Sequence, residues 1–97
     1  MIARVIIRPA AKRDIRDGRV WYRKISPVLA DDFLEAVDQA ITLAREYPQA
    51  FQVVHRTFRR ILLRRFPYAL FYDPREDRVI VVAVLHQARD PGLLDER

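Results

Sequence analysis

Cysteine is absent from the 97 residues, which excludes a disulfide framework and any thiolate metal site. The two histidines stand alone in the sequence, too few for a histidine-based zinc centre, so neither a metal nor another cofactor is expected. Glycine is nearly absent as well, and no phosphate-cradling glycine loop exists. Neither a serine nucleophile motif nor a carboxylate dyad at a convincing spacing is present, so the usual hydrolase and kinase chemistries drop out.

Long apolar runs are also missing. The longest, Val79 to Leu85, is far too short to cross a bilayer. The start, Met1-Ile2-Ala3-Arg4-Val5, lacks the apolar stretch of a signal peptide. A cytoplasmic protein without membrane association is the expectation. Lysine is scarce: only Lys12 and Lys24 occur among eighteen basic residues, so the net charge of +5 comes almost wholly from arginine. The planar guanidinium fork suits carboxylate and phosphate equally, which leaves both an acidic protein and a nucleic acid open as partners.

What the chain does have is apolar side chain, 51% of residues. That suffices to offset ordering entropy in one core, while the length is too small for two, so residues 1–97 read as a single domain. Ile2 to Ile7 is β-branched, short and stopped by Pro9, a first strand. From Pro9 to about Ile25, Ala11, Ile15, Trp21, Tyr22 and Ile25 fit one helical stripe imperfectly, with Gly18 as a weak point. Ser26-Pro27 then supplies an N-cap and a first-turn proline. Leu29, Phe33, Val37, Ala40, Ile41 and Ala44 recur at helical spacing up to Tyr47-Pro48. The short connection predicts an antiparallel helical hairpin, with Trp21, Tyr22, Phe33 and Tyr47 in its packing.

A loop is expected from Ala50 to Thr57, followed by strands over Arg59 to Phe66, Ala69 to Asp73 and Arg78 to His86. Val79 to Leu85 is apolar without alternation, as in a central strand covered on both faces. Asp90-Pro91 is a candidate start for a short helix, with Asp95-Glu96-Arg97 as a frayed end. The fold class is α+β: a strand, a helical hairpin, then a three-stranded antiparallel meander, with the helices packed on one face of the sheet.

Three constellations invite a chemical reading. Arg56, Arg59, Arg60, Arg64 and Arg65 form a cation cluster, with Arg60, Leu62 and Arg64 on one face and Arg59, Ile61, Leu63 and Arg65 on the other. It reads either as a phosphate or carboxylate clamp within reach of one anion, or as charge protecting a sheet edge. Lys12, Arg16, Arg19 and Arg23 share one side of the first helix, and Asp31, Asp32, Glu35, Asp38 and Glu46 dominate the second. Pairing across the hairpin, or plain solvation, accounts for both. His86 with Arg89, at the end of the last strand, offers a general acid or base beside a phosphate-holding cation. Alternatively, His86 simply bonds to Asp90 or the backbone. His55 has no evident role.

The run Arg59-Arg60-Ile61-Leu62-Leu63-Arg64-Arg65-Phe66-Pro67-Tyr68-Ala69-Leu70-Phe71-Tyr72, followed by Val81-Val82-Ala83-Val84-Leu85-His86-Gln87-Ala88-Arg89-Asp90-Pro91 after a two-helix start, resembles the ParE/RelE superfamily of type II toxin–antitoxin toxins. The resemblance covers nearly the whole chain. It implies a growth inhibitor in a hetero-oligomer with a cognate antitoxin, whose C-terminal segment covers a surface built from Arg59, Arg60, Arg64, Arg65, Tyr68 and Arg89. It also implies one of two targets, DNA gyrase in the ParE-like branch or messenger RNA in the ribosome in the RelE-like branch.

RNA cleavage by 2′-hydroxyl attack needs a proton acceptor, a proton donor and fixed cations. Arg60 and Arg64 match two cations of the RelE-like pattern. Leu62 stands where the middle cation belongs, Ala69 replaces the arginine after Tyr68, and no tyrosine follows Tyr72. A reduced nuclease would use His86 with Arg65 and Arg64. The departures favour the ParE-like branch and gyrase over a messenger endoribonuclease, with a degenerate, non-toxic family member as a third reading.

Overall fold

The computed structural model describes residues 4–97. The chain runs β1 (Arg4–Ile7), α1 (Pro9–Arg23), α2 (Pro27–Glu46), β2 (Val53–His55), β3 (Phe58–Leu62), β4 (Tyr68–Pro74), β5 (Arg78–His86) and a 3₁₀ turn (Pro91–Glu96). One five-stranded sheet has the order β1-β5-β4-β3-β2. Strands β2 to β5 form an antiparallel meander, and β1 pairs parallel to β5 from Arg4 opposite Arg78 to Ile7 opposite Val81. The expected α+β order therefore stands; Ile2 and Ala3, the expected start of the first strand, lie outside the described residues.

The sequence expectation missed β2, which occupies part of the stretch read as a loop. Three residues are too few for periodicity to register. The strand expected to reach Phe66 ends at Leu62, because Arg65 takes a left-handed backbone, φ 71°, inside the turn to β4. β3 is also not an edge strand, since β2 lies outside it. Edge protection therefore does not explain its arginines.

Helix α1 starts on Pro9, and α2 on the Ser26-Pro27 signal, where Ser26 Oγ accepts from Val28 N at 3.2 Å. The helices cover one sheet face, where Phe33, Val37, Leu70, Tyr72, Val79, Val81 and Val84 share a core. Phe58, Ile80, Val82, Ala83, Leu85 and Leu94 form a second cluster. Residues of β5 enter both clusters, which explains its unbroken apolar run. Tyr72 sits opposite Val81 and Phe71 opposite Ala83, so Val82 is an extra residue that breaks the alternation along β5.

Gly18 marks the helix crossing. A Cβ built there would lie 2.5 Å from Cζ of Phe33, which is fully buried. What reads in sequence as a weak point of the helix is the place where it comes closest to its neighbour. Phe33 in turn meets Tyr22, Phe66 and Tyr68 at ring separations of 5.4, 5.6 and 5.0 Å, pinning the Phe66-Pro67-Tyr68 turn to the hairpin. Trp21 and Tyr47, expected in the packing, are instead more than half exposed. Among the described residues no ion pair joins α1 to α2; Asp14 and Asp32 pair with Arg97 and Arg65, outside the hairpin.

The C-terminus is not frayed. Asp90 Oδ1 accepts from Gly92 N at 2.9 Å to start the 3₁₀ turn, and Leu94 is buried in the second cluster. β1 stops opposite Val81, leaving the next stretch of β5 without a strand on that side. Side chains close it. Asp14 Oδ2 accepts from Val84 N at 3.0 Å, Arg97 Nη1 donates to Val82 O at 3.0 Å, and the two side chains form a two-point ion pair at 2.7 and 3.2 Å. Arg8 also donates to the Arg97 carbonyl.

Two outcomes follow. Gly18→Ala gains about 1 kcal/mol of helix propensity, but the locked Phe33 ring cannot withdraw and overpacking costs about 1–3 kcal/mol. A net loss of stability in urea unfolding is therefore expected. Arg97→Ala strands a half-buried carboxylate and a strand carbonyl, at a cost of about 2–3 kcal/mol. Hydrogen exchange at the Val84 amide should accelerate in that variant and not in Arg13→Ala.

Candidate functional site

The structure disperses the arginine cluster. Arg59 is a staple for the loop after α2, donating from Nη1 to Phe51 O at 2.6 Å and to Gln49 O at 3.2 Å, and from Nη2 to Gln49 Oε1 at 2.8 Å. Arg56 reaches Asp95 at 3.4 Å, and Arg65 reaches Asp32 of α2 at 3.6 Å. Arg64 is exposed beside α2. The expected grouping of these cations around one anion is corrected accordingly. The period of two held along β3, but the turn at Arg64-Arg65 carries the last two away.

One cation of the cluster, Arg60, does join other expected residues. With Leu62 on β3, His86 at the end of β5 and Arg89 just beyond, it borders a groove of about 690 Å³ that reaches into the second cluster. Ala69, Phe71, Leu85 and Leu94 also line it. Gln52, Val53 and Val54 bring in the β2 side, and Pro91 the 3₁₀ turn. The first wall, a three-residue strand, was invisible in the sequence; the second was anticipated only as a short helix with a frayed end. The Asp90-Pro91 cap ahead of Leu93-Leu94 was the signal available for the second.

Among the described residues, no aspartate or glutamate lines the groove. Leu62 is 57% exposed and Val53 46%, so its surface is apolar and open, with Arg60 and Arg89 as charged borders. His86 Nδ1 accepts from Ala88 N at 3.0 Å, so the backbone, not Asp90, holds the imidazole. Its ring stands 5.2 Å from that of Tyr68. His55, given no role from sequence, lies with Nε2 2.8 Å from Asp95 Oδ1, tying the β2–β3 turn to the C-terminal 3₁₀ turn.

Burial pushes the Tyr68 phenol above its ordinary value of 10.0; nearby Tyr22 and Asp17 push the same way, against the opposing pull of Arg89. Tyr22 is raised by burial alone, and Tyr72, whose hydroxyl donates to Pro48 O at 2.8 Å, by burial against the pull of Arg59. Tyr68 is thus neutral, and it lines a smaller notch that shares His86 and Arg89 with the groove. Among the described residues no group of His, Asp or Glu is arranged to hold a metal ion, and no helix is long and apolar enough to cross a membrane.

Comparison with solved structures fixes the class of fold. The chain superposes on a structure described as the chromosomal ParDE TA system from P. aeruginosa with a TM-score of 0.77. The match covers 88% of this chain and 96% of that one at 12% sequence identity. The sequence then gives the family: residues 5–91 match the model for the ParE toxin of the type II toxin-antitoxin system, parDE, and the chain belongs to that family. No curated protein matches it significantly.

The three raised phenols make a prediction about alkaline stability. A folded-state value above the unfolded one means the folded chain keeps protons that the unfolded chain has released. Their contribution is therefore complete below pH 10.0 and falls as pH rises through the raised values. Urea midpoints should stay level up to about pH 9 and drop above about pH 10, and Tyr68→Phe should shallow that drop.

Proposed function

We propose that this chain is a ParE-type toxin that acts by binding DNA gyrase, is neutralised by a cognate antitoxin in a hetero-oligomer, and does not cleave RNA. The observation that carries the reading is the composition of the groove. Leu62 and Ala69, at the positions where the RelE-like pattern has cations, line the same groove as Arg60 and His86, so the departures fall together in one place. An apolar wall cannot hold the charge that develops on a phosphate under attack.

The proton chemistry is equally poor. The Nδ1 lone pair of His86 is engaged by Ala88 N, and among the described residues no second histidine, tyrosine or carboxylate lines the groove, so one residue would have to serve as both proton acceptor and proton donor. Arg65, paired with Asp32 beside α2, and Arg64 lie away from the groove wall that His86 forms. The half-buried, neutral Tyr68 supplies no base. What remains fits recognition without reaction, in a cell interior where gyrase and an antitoxin are both available.

Purified protein should inhibit supercoiling by gyrase or trap cleaved DNA. Induction in cells should arrest growth with a DNA-damage response and without codon-linked cuts in messenger RNA by primer extension. Leu62→Glu, at an exposed position, should keep the fold and reduce inhibition by about tenfold or more if the groove contacts the target. Cuts in messenger that vanish in His86→Ala would establish the nuclease alternative; induction without arrest would establish a non-toxic family member.

A further inference from the structure

We infer that the outer face of the helical hairpin is a self-association surface, on which two copies of this chain pair in a weak, salt-sensitive dimer, α1 of each lying over α2 of the other. The inference stands apart from the gyrase reading and from the groove.

Two charge stripes left without partners carry the argument. On α1, Lys12, Arg16, Arg19 and Arg23 each follow by one residue a buried or half-buried position, namely Ala11, Ile15, Gly18 and Tyr22. On α2, Asp31, Glu35 and Asp38 follow Ala30, Leu34 and Val37 in the same way. One residue is about 100° of turn, so each stripe stands at a similar angle from the inner side of its helix. The opposite flanks are already occupied: Asp14, Asp17 and Trp21 of α1 face the end of β5, and Asp32 and Ala36 of α2 face Arg64-Arg65-Phe66. Both stripes therefore meet solvent on the side of the hairpin away from the sheet. Apart from a 3.8 Å contact between Arg16 and Asp17, none of these seven side chains makes an ion pair or side-chain hydrogen bond among the described residues. Arg64 borders a hollow with Glu35 and Asp38 and pairs with neither.

The stripes match in spacing as well as in sign. Lys12, Arg16 and Arg19 are four and three residues apart, and so are Asp31, Glu35 and Asp38. Gly18 against Phe33 sets the level of the two helices. A two-fold axis along the hairpin then brings Arg19, Arg16 and Lys12 of one copy over Asp31, Glu35 and Asp38 of the other, and the same pairs recur across the axis. Val20 and Val28, both exposed, add apolar contact at the hairpin tip. A face about 22 Å long and two helices wide falls short of the roughly 800 Å² per partner of stable interfaces, and exposed ion pairs contribute little each. The dimer is accordingly weak.

A nucleic acid would suit α1 alone, because its phosphates would meet Asp31, Glu35 and Asp38 on the neighbouring helix. A second copy satisfies both helices. The groove opens on the other face of the sheet, so a pair joined through the hairpins holds two grooves free on opposite sides, a bivalent arrangement.

Sedimentation velocity on the full chain tests this. The parent should shift from monomer toward dimer as its concentration rises to about 300 µM in about 20 mM salt, and the dimer should be lost by about 0.5 M salt. Lys12→Glu with Arg16→Glu, and Glu35→Lys with Asp38→Lys, should each weaken self-association by about tenfold or more. Mixing these two double variants should restore pairing, because each supplies the stripe that the other lacks. Both keep a net positive charge, so overall attraction cannot produce the recovery. All four positions are exposed, and circular dichroism should confirm that both variants fold; the salt series on the parent needs no substitution.

A parent that stays monomeric throughout, a dimer indifferent to salt, or a mixture no better associated than its components would each overturn the inference. So would a labelled DNA duplex of about twenty base pairs that the parent binds more tightly than it binds itself and that Lys12→Glu with Arg16→Glu releases. Gyrase inhibition is read separately, and its absence would leave the dimer standing.

Discussion

The close approach of Phe33 to Gly18 is the contact on which the rest of the structure depends. A helical hairpin packs at short range only where one helix omits its side chain, and here the omission admits a whole phenyl ring. That ring also faces Tyr22, Phe66 and Tyr68, so one buried side chain fixes the hairpin and the turn between β3 and β4 together. The turn decides where Leu62 ends its strand and where Ala69 begins pairing, opposite each other in the register. The groove on the second apolar cluster thus inherits its geometry from packing on the helical face.

The second organising device is the closure of β5. A parallel partner as short as β1 leaves backbone groups on the central strand without a ladder, and buried groups of that kind must be paired. Asp14 and Arg97 do so from opposite ends of the chain. Their ion pair also holds the 3₁₀ turn down, which puts Leu94 into the second cluster and gives the groove one of its walls. Stability and groove shape meet at that turn: the same residues that satisfy the sheet edge build one wall of the groove.

The distribution of charge separates what is structural from what is available. Arginines that look equivalent in sequence differ by the acceptor that folding brings to them, and a paired guanidinium is a poor candidate for binding a second anion. Among the described residues, Arg60 and Arg89 make no side-chain hydrogen bond or ion pair. They stand beside Leu62 and His86, at the border of the apolar groove.

The sequence by itself determined the order of elements, the N-cap of α2, the doubly covered β5 and the family resemblance, because each rests on local spacing within one element or on a contiguous motif. It also exposed Leu62 and Ala69 as departures from a nuclease pattern. Tertiary structure alone decided that Arg59, Arg64 and Arg65 leave the arginine-rich strand's groove, that β2 and the C-terminal turn wall it, and that Arg97 meets Asp14. Those facts depend on contacts between residues far apart in the chain and on one left-handed residue, Arg65, in a turn. Periodicity describes which face a side chain takes while the strand lasts. It cannot say where the strand stops or what acceptor waits beyond it.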